Sequence, residues 1–388
     1  MKRGIRIGDY VLAELLSAGG MGQVWLAHRE FEGGGRSVVA IKFPLAEGVL
    51  DPRVRDGLHD EARLQMQLQH DNIPRVVDMG VHEGLPYFVM SFIPGRSLAQ
   101  LLARLRDVGT PLRFEIIAHV AREIGYALRY AHVFEIDGIS RQVIHRDVAP
   151  KNVLISGHGG VYVVDFGVAE ALGIRSSRNH IKGTLLYMAP EHALGFPSPK
   201  SDGWGLGAIM WEMIEGRQFR AEVAPDDMRR AANQGVRGPL TRAGMPDALR
   251  FVTEGLLRKD ESERLTLEEA LRPLESSEFP PQRTALAVEL KQRFGASVHR
   301  SGQTLHDFQM PEHLDRTLAA AKMVREGSPW EQDTWSAEAF TAAGAPVVVP
   351  VGSTRPSLLP TALVDDSIPR TAEPLLVTER RVTEEPAP

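Results

Sequence analysis

A mixed α+β chain is what the sequence predicts, with a small antiparallel β-rich lobe over about residues 1–93 and a larger helical lobe over about 94–275. Three observations carry this. Runs of β-rich residues crowd the stretch before Gly95, with one helical segment among them. After Gly95 the apolar residues recur three and four apart over long stretches. Near residue 275 the composition changes, and a Pro-rich stretch follows from Pro329 to the end. A cleft between the two lobes is the natural place for a ligand.

Taken in order, "YVLAELL" and "QVWLAHR" flank "SAGGMG", a strand, glycine turn and strand. "SVVAIKF" is a further strand, and "VRDGLHDEARLQMQLQ" (54–69) has helical periodicity. "RVVDMGV" and "PYFVMSFI" add two more strands. In the second lobe "FEIIAHVAREIGYALRYAHVF" (114–134) reads as one long helix. "NVLIS", "GHGG" and "VYVVD" read as a tight hairpin. "DGWGLGAIMWEMIEG" (202–216) is apolar nearly all round, as a buried central helix is. Beyond 275, "RTALAVELKQRF" (283–294) and "EHLDRTLAAAKMV" (312–324) carry helical spacing, giving a short helical extension over 276–324. The Pro-rich residues 325–388 are expected to be disordered.

Bulk properties exclude several classes. The 388 residues carry a net charge of −5, which gives no electrostatic reason to propose nucleic acid as a partner. There is no cysteine, hence no disulfide, thiolate metal site or cysteine nucleophile. Histidines lack ligand spacing. No apolar run reaches the roughly 18 residues of a membrane span, and "MKRGIRIGDY" has no signal-peptide pattern, so the expected location is the cytoplasm.

The chemistry is concentrated in residues 145–167. Antiparallel return of the hairpin brings Asn152, at its start, beside Asp165, at its end. An amide oxygen and a carboxylate are hard ligands suited to Mg²⁺, which takes few protein oxygens together with phosphates. Asp147 lies on the loop feeding that pair. The glycines of "SAGGMGQV" let backbone N–H groups approach phosphate oxygens, although glycine hairpin turns are common and this signal alone is weak. In "VVAIKF" the alternation places Ala40 and Lys42 on one face, where a lysine aimed into a cleft needs an anionic partner such as Glu61.

With these motifs in order, together with "GTLLYMAPE", "SDGWGLG" and Arg264 in "SERLT", the chain from about Tyr10 to Leu274 resembles a bacterial Hanks-type, eukaryotic-like serine/threonine protein kinase. The resemblance implies a protein-kinase-like bilobal fold and ATP with Mg²⁺ or Mn²⁺ as cofactors. The partners it implies are proteins with Ser or Thr acceptors, with self-association for trans-autophosphorylation. Gly19, Gly20 and Gly22 would cover the ATP phosphates, and Lys42, held by Glu61, would pair with the α- and β-phosphates. Asp147 would accept the hydrogen bond of the attacking hydroxyl, while Asn152 and Asp165 would hold the metal. Val24, Ala40 and Leu154 would sandwich the adenine, with Met90 at the gatekeeper position and Phe92 and Ile93 in the hinge. Glu191 would pair with Arg264, and Asp202 would support the catalytic-loop backbone. Thr184 in "GTLLYMAPE" points to Ser/Thr acceptors. Arg146, before the Asp, implies control by activation-loop phosphorylation, with Ser176 and Ser177 as candidate sites.

Four positions depart from the family pattern. Ser17 stands for the first lid glycine and Ser91 for a common hinge acid. Gln65 occupies a place normally apolar in the stack that reports the active state, and a buried amide there is costly unless paired. Ala149 replaces the lysine that contacts the γ-phosphate, while Lys151 stands two residues later. A lysine reaching from 151 could stabilise the same developing charge, since the effect is electrostatic. Two readings follow: an active enzyme with a displaced catalytic lysine, or a pseudokinase that binds nucleotide and recruits partners through its tail. A small-molecule phosphotransferase ranks below both, because the "APE" segment and Arg264 build a peptide-binding shelf.

Overall fold

The structure is a computed structural model, and it describes residues 1–19, 22–44, 64–166 and 185–295. Strands β1 (Arg6–Ile7), β2 (Tyr10–Gly19), β3 (Gly22–Glu30), β4 (Arg36–Pro44), β5 (Val76–His82) and β6 (Leu85–Ser91) form one antiparallel sheet. Its spatial order is β1-β2-β3-β4-β6-β5. Every second residue of β3 and β4 turns inward, so Trp25, Ala27, Val39, Ile41 and Phe43 bury one face with Tyr87 and Val89. β2 carries two register shifts, between Leu12 and Glu14 and between Leu15 and Ser17, which strengthen the twist of the strand leading to the glycine turn.

The second lobe begins with β7 (Gly95–Ser97) and α1 (Leu98–Asp107). Ser97 caps α1 in a reciprocal box with Gln100. Helix α2 (Phe114–His132) buries Ile116, Ile117, Val120, Ile124 and Leu128. The sequence extended this helix to 134. Instead the chain turns at Val133 into a two-stranded ribbon, β8 (Glu135–Ile136) and β9 (Ile139–Ser140). Asp137 and Gly138, both at positive φ (52° and 73°), make its turn, the conformation an Asp-Gly pair favours.

After a short 3₁₀ turn at Pro150–Asn152, β10 (Val153–Ser156) pairs with both β7 and β11 (Val161–Val163). The outer edge of β11 is covered by Asn72, whose carbonyl accepts from Val163 N and whose amide donates to Val161 O. Next come the short helix α3 (Pro190–Ala193) and α4 (Pro199–Glu215). Helix α4 begins three residues earlier than its apolar run suggested, because Ser198 caps it with Pro199 in the first turn, and Gly216 closes it at φ 68°. All side chains from Ser201 to Ile214 are buried, so α4 is the axis around which the lobe is built. Gly205 lets it come close to the catalytic loop: an added Cβ would lie 2.7 Å from Val148 Cβ. Helices α5 (Met228–Gln234), α6 (Asp247–Leu256) and α7 (Leu267–Leu274) complete the lobe.

Helix α8 (Arg283–Phe294) has the bounds its spacing predicts and buries Leu286 and Leu290 against the same core. The segments 312–324 and 325–388 lie outside the described residues. Among the described residues, no helix is long and apolar enough to cross a membrane.

Candidate active site

The hairpin expected to join Asn152 and Asp165 is present. Val153 faces Val163 across β10 and β11, and Val164 N donates to Asn152 O at 2.9 Å. Asn152 and Asp165 therefore sit on neighbouring strand ends. The Asn152 amide nitrogen is committed to Asp147, donating to its backbone oxygen (2.8 Å) and to Oδ2 (2.9 Å). That leaves Oδ1 as the acceptor of this side chain. Among the described residues no group of three or more His, Asp and Glu side chains could hold an ion by itself. A site of one amide and one carboxylate suits Mg²⁺ held partly by phosphates.

The loop bearing Asp147 is fixed by polar contacts rather than regular structure. Asp202, 1% exposed at the start of α4, accepts from His145 N (2.7 Å), Arg146 N (2.8 Å) and His132 Nε2 (2.8 Å). Burial alone would raise the Asp202 carboxyl, but His132 and His145 more than offset this and hold it below the ordinary carboxylate range. Arg146 has φ 68°, a left-handed conformation that costs a non-glycine residue roughly 1–2 kcal/mol and here is held by the Asp202 carboxylate. The His145 ring links the loop to the hairpin. Its Nδ1 accepts from Asp147 N at 3.2 Å, which leaves Nε2 to donate to Val164 O at 2.8 Å, and its edge meets Phe166 at 4.6 Å.

Lys42, 3% exposed on β4, places Nζ 2.6 Å from Asp165 Oδ1. Burial would raise the Asp165 carboxyl too; the charge and hydrogen bond of Lys42 reverse that and lower it. Asp165, like Arg146, is left-handed, at φ 67°. Glu61, the partner expected for Lys42, lies outside the described residues, as do Gly20, Ser176, Ser177 and Thr184. Gly19 and Gly22 face each other across the end of the β2–β3 ribbon. Gly22 has φ 128°, and a Cβ there would meet Phe43 O at 2.0 Å, so only glycine fits.

Val24 pairs with Lys42 and Ala40 with Met90, so these four occupy adjacent positions of the sheet wall. Leu154 lies on β10, and half-buried Phe92 and Ile93 lie in the irregular link between β6 and β7. Lys42, Gln65, Met90, Asp165 and Phe166 line one recess behind that wall. The Gln65 amide donates to Phe166 O, which answers the concern about an unpaired amide at that position.

Ala149 is 2% exposed among Tyr187, Ala189 and Trp204. Lys151, with a side chain 45% exposed, brings Nζ to 2.9 Å from Asp147 Oδ2. The late lysine is thus beside the candidate base, not turned away from it.

Beyond the loop, Arg264 forms a bidentate pair with Glu191 at 2.6 and 2.9 Å and donates to Lys200 O and Arg258 O. Burial would raise the Glu191 carboxyl, but hydrogen bonds from Arg264 and Ser201 hold it low. A second anchor escaped the sequence reading. Tyr187 donates to Glu212 Oε2 at 2.5 Å, and Arg106 reaches Glu212 Oε1 at 3.0 Å. Its signal was available: a glutamate inside the apolar run "AIMWEMI" must have a partner.

A family model described as "Protein kinase domain" matches residues 10–273. The chain is 33% identical over 222 residues to serine/threonine-protein kinase Pkn1 of Myxococcus xanthus, covering 55% of this chain and 30% of the relative. Similarity to tyrosine-protein kinase MasK of the same species is 33% over 215 residues, covering 53% and 33%. For serine/threonine-protein kinase PknA of Mycobacterium tuberculosis it is 34% over 219 residues, covering 54% and 48%. The chain thus spans less than half the length of these curated relatives.

Proposed function

The chain belongs to the protein kinase family, and on that premise we propose that it transfers the γ-phosphoryl group of ATP to serine and threonine hydroxyls of proteins. The observation that carries this reading is the meeting of Lys42, Asp147, Asn152 and Asp165 at the open end of one hairpin. In it, Lys42 and the glycines at 19, 20 and 22 hold the phosphates, with Glu61 steadying Lys42. Val24, Ala40, Met90, Phe92, Ile93 and Leu154 enclose the adenine. Asn152 Oδ1 and the Asp165 carboxylate hold Mg²⁺ or Mn²⁺, which supplies positive charge against the transferring group. Asp147 accepts the hydrogen bond of the incoming hydroxyl and orients its oxygen.

Lys151 supplies the cation that Ala149 lacks. Its ammonium already stands within ion-pair distance of Asp147, and charge stabilisation of this kind needs proximity more than a fixed fork geometry. The catalytic domain in this reading covers residues 1–275, followed by a helical extension (276–324) and a Pro-rich tail (325–388). The protein works in the cytoplasm and associates with itself for trans-autophosphorylation.

The test is transfer of radiolabelled phosphate from ATP to casein and to the chain itself, with Asp165→Ala as control. Because one relative is named a tyrosine kinase, the product is resolved into phosphoserine, phosphothreonine and phosphotyrosine. Label above the control, confined to Ser and Thr, is the expected result. No label above the control would leave a nucleotide-binding scaffold instead.

A further inference from the structure

Five residues past the end of α4 stands a buried cation with no anion in reach among the described residues. Arg220 is 3% exposed and has φ 55°. Its Nη1 donates to three carbonyls of one short segment, those of Leu185 (2.9 Å), Leu186 (3.1 Å) and Met188 (3.1 Å). Its Nε donates to Val236 O at 2.8 Å, two residues past the end of α5. Trp204 and Phe219 lie against the guanidinium, with ring centroids 5.5 and 5.1 Å away. Burial pushes this guanidinium down to about 10, with no opposing negative charge among the described residues.

A desolvated charge without a counter-ion is costly, so its donors must be needed where they are. The bonds made by Nη1 and Nε all go to main-chain oxygens, three of the four in the stretch just before Glu191, while Nη2 is buried with no hydrogen-bond partner among the described residues. Tyr187, in the same stretch, is tied through its hydroxyl to Glu212 on α4. The segment is therefore held by its carbonyls from one direction and by a side chain from another. Leu186 and Met188 remain half-buried between these ties.

We infer that Arg220 is a positioning residue for the acceptor protein: by holding the carbonyls of Leu185–Met188 it sets the shelf on which the acceptor peptide lies, and so governs acceptor affinity and not the transfer step at Asp147. This deepens the proposed function and rests on it, because only that reading makes the segment a peptide shelf. A guanidinium suits the task, since its donors form a rigid plane that serves several oxygens at once, whereas an ammonium of similar reach is a point charge.

The experiment uses the full chain as wild type, Arg220→Gln, Arg220→Lys and the Asp165→Ala control. Steady-state phosphorylation of casein in Arg220→Gln should show KM for casein raised about tenfold, with kcat and KM for ATP within about twofold of wild type. Arg220→Lys should recover part of the loss. Hydrogen–deuterium exchange gives a second readout without turnover: amides of 185–188 should exchange faster in Arg220→Gln while α4 keeps its protection. An unchanged KM for casein, a fall in kcat matching the rise in KM, or unchanged exchange in 185–188 would each overturn the inference. If wild type transfers no phosphate above Asp165→Ala, the proposed function fails separately. Exchange then decides alone whether Arg220 fixes the segment.

Discussion

Two loops lean on helix α4, and they are held by charges of opposite sign. At its start, Asp202 gathers the N–H groups of His145 and Arg146 and so fixes the loop that carries Asp147. Past its end, Arg220 gathers the carbonyls of Leu185, Leu186 and Met188. The carboxylate has a side-chain donor in reach, because His132 Nε2 meets the oxygen that also serves His145 N. Among the described residues the guanidinium meets oxygens of the main chain and two aromatic rings. A buried acid that accepts from two backbone N–H groups and a histidine makes a rigid anchor, while a buried base among carbonyls depends for its partners on the segment it holds. The first arrangement suits a loop that must not move during chemistry. The second suits a surface that must keep its shape while partners come and go.

The largest expected effect breaks the first anchor. Asp202→Ala should destabilise the protein by about 3–5 kcal/mol, as removal of one member of a buried charged cluster does, and should abolish casein phosphorylation; denaturant unfolding and transfer assays measure the two. Gly205→Ala comes next. Its Cβ would press on Val148 between the two anchors, where an added methyl in a packed site costs about 1–3 kcal/mol, and kcat should fall with the melting temperature. Lys151→Ala should lower kcat by about tenfold or more through lost charge stabilisation, with melting little changed because nearly half of the side chain faces solvent.

Acid should act on the histidines first. Burial lowers His70, His119 and His192 from their ordinary value, so the unfolded chain takes up protons before the folded one does. Stability should therefore decline as pH falls below about 6.5, the imidazole value of an unfolded chain. Asp202 and Glu191 are depressed, and their contribution should persist until pH drops below the ordinary carboxylate range. Melting curves between neutral pH and pH about 5 test the histidine part, since carboxylates at about 4 remain ionised there. A melting temperature that stays flat over that interval contradicts it. At the small end, Arg129→Ala breaks an exposed pair with Glu268 and should shift stability by less than about 1 kcal/mol.

The parts of the site legible in the sequence were those written in local pattern. The apolar runs on either side of "GHGG" were enough to bring Asn152 beside Asp165, and the nearly all-apolar run of α4 announced its burial. The pairing of Glu191 with Arg264 came from ordered motifs instead, since no local rule joins residues so distant in the chain. Arg220 could not be read at all: an arginine after a helix is ordinarily solvated, and only the folded segment supplies the carbonyls that hold it. Val133 and Phe134 continued the apolar spacing of α2 and hid the turn that Asp137-Gly138 would have signalled. The ion pair of Lys151 with Asp147 was equally hidden, because spacing alone does not say which way a long flexible side chain leans.

The amide of Gln65 gives the neighbourhood of Phe166 a joint with a direction. Oily contact between side chains tolerates sliding and tilting, but a bond from an N–H to a carbonyl weakens steeply once its angle departs far from linear. Rotation of the segment carrying Gln65 should therefore loosen its hold on Phe166 more steeply than an apolar side chain at 65 would.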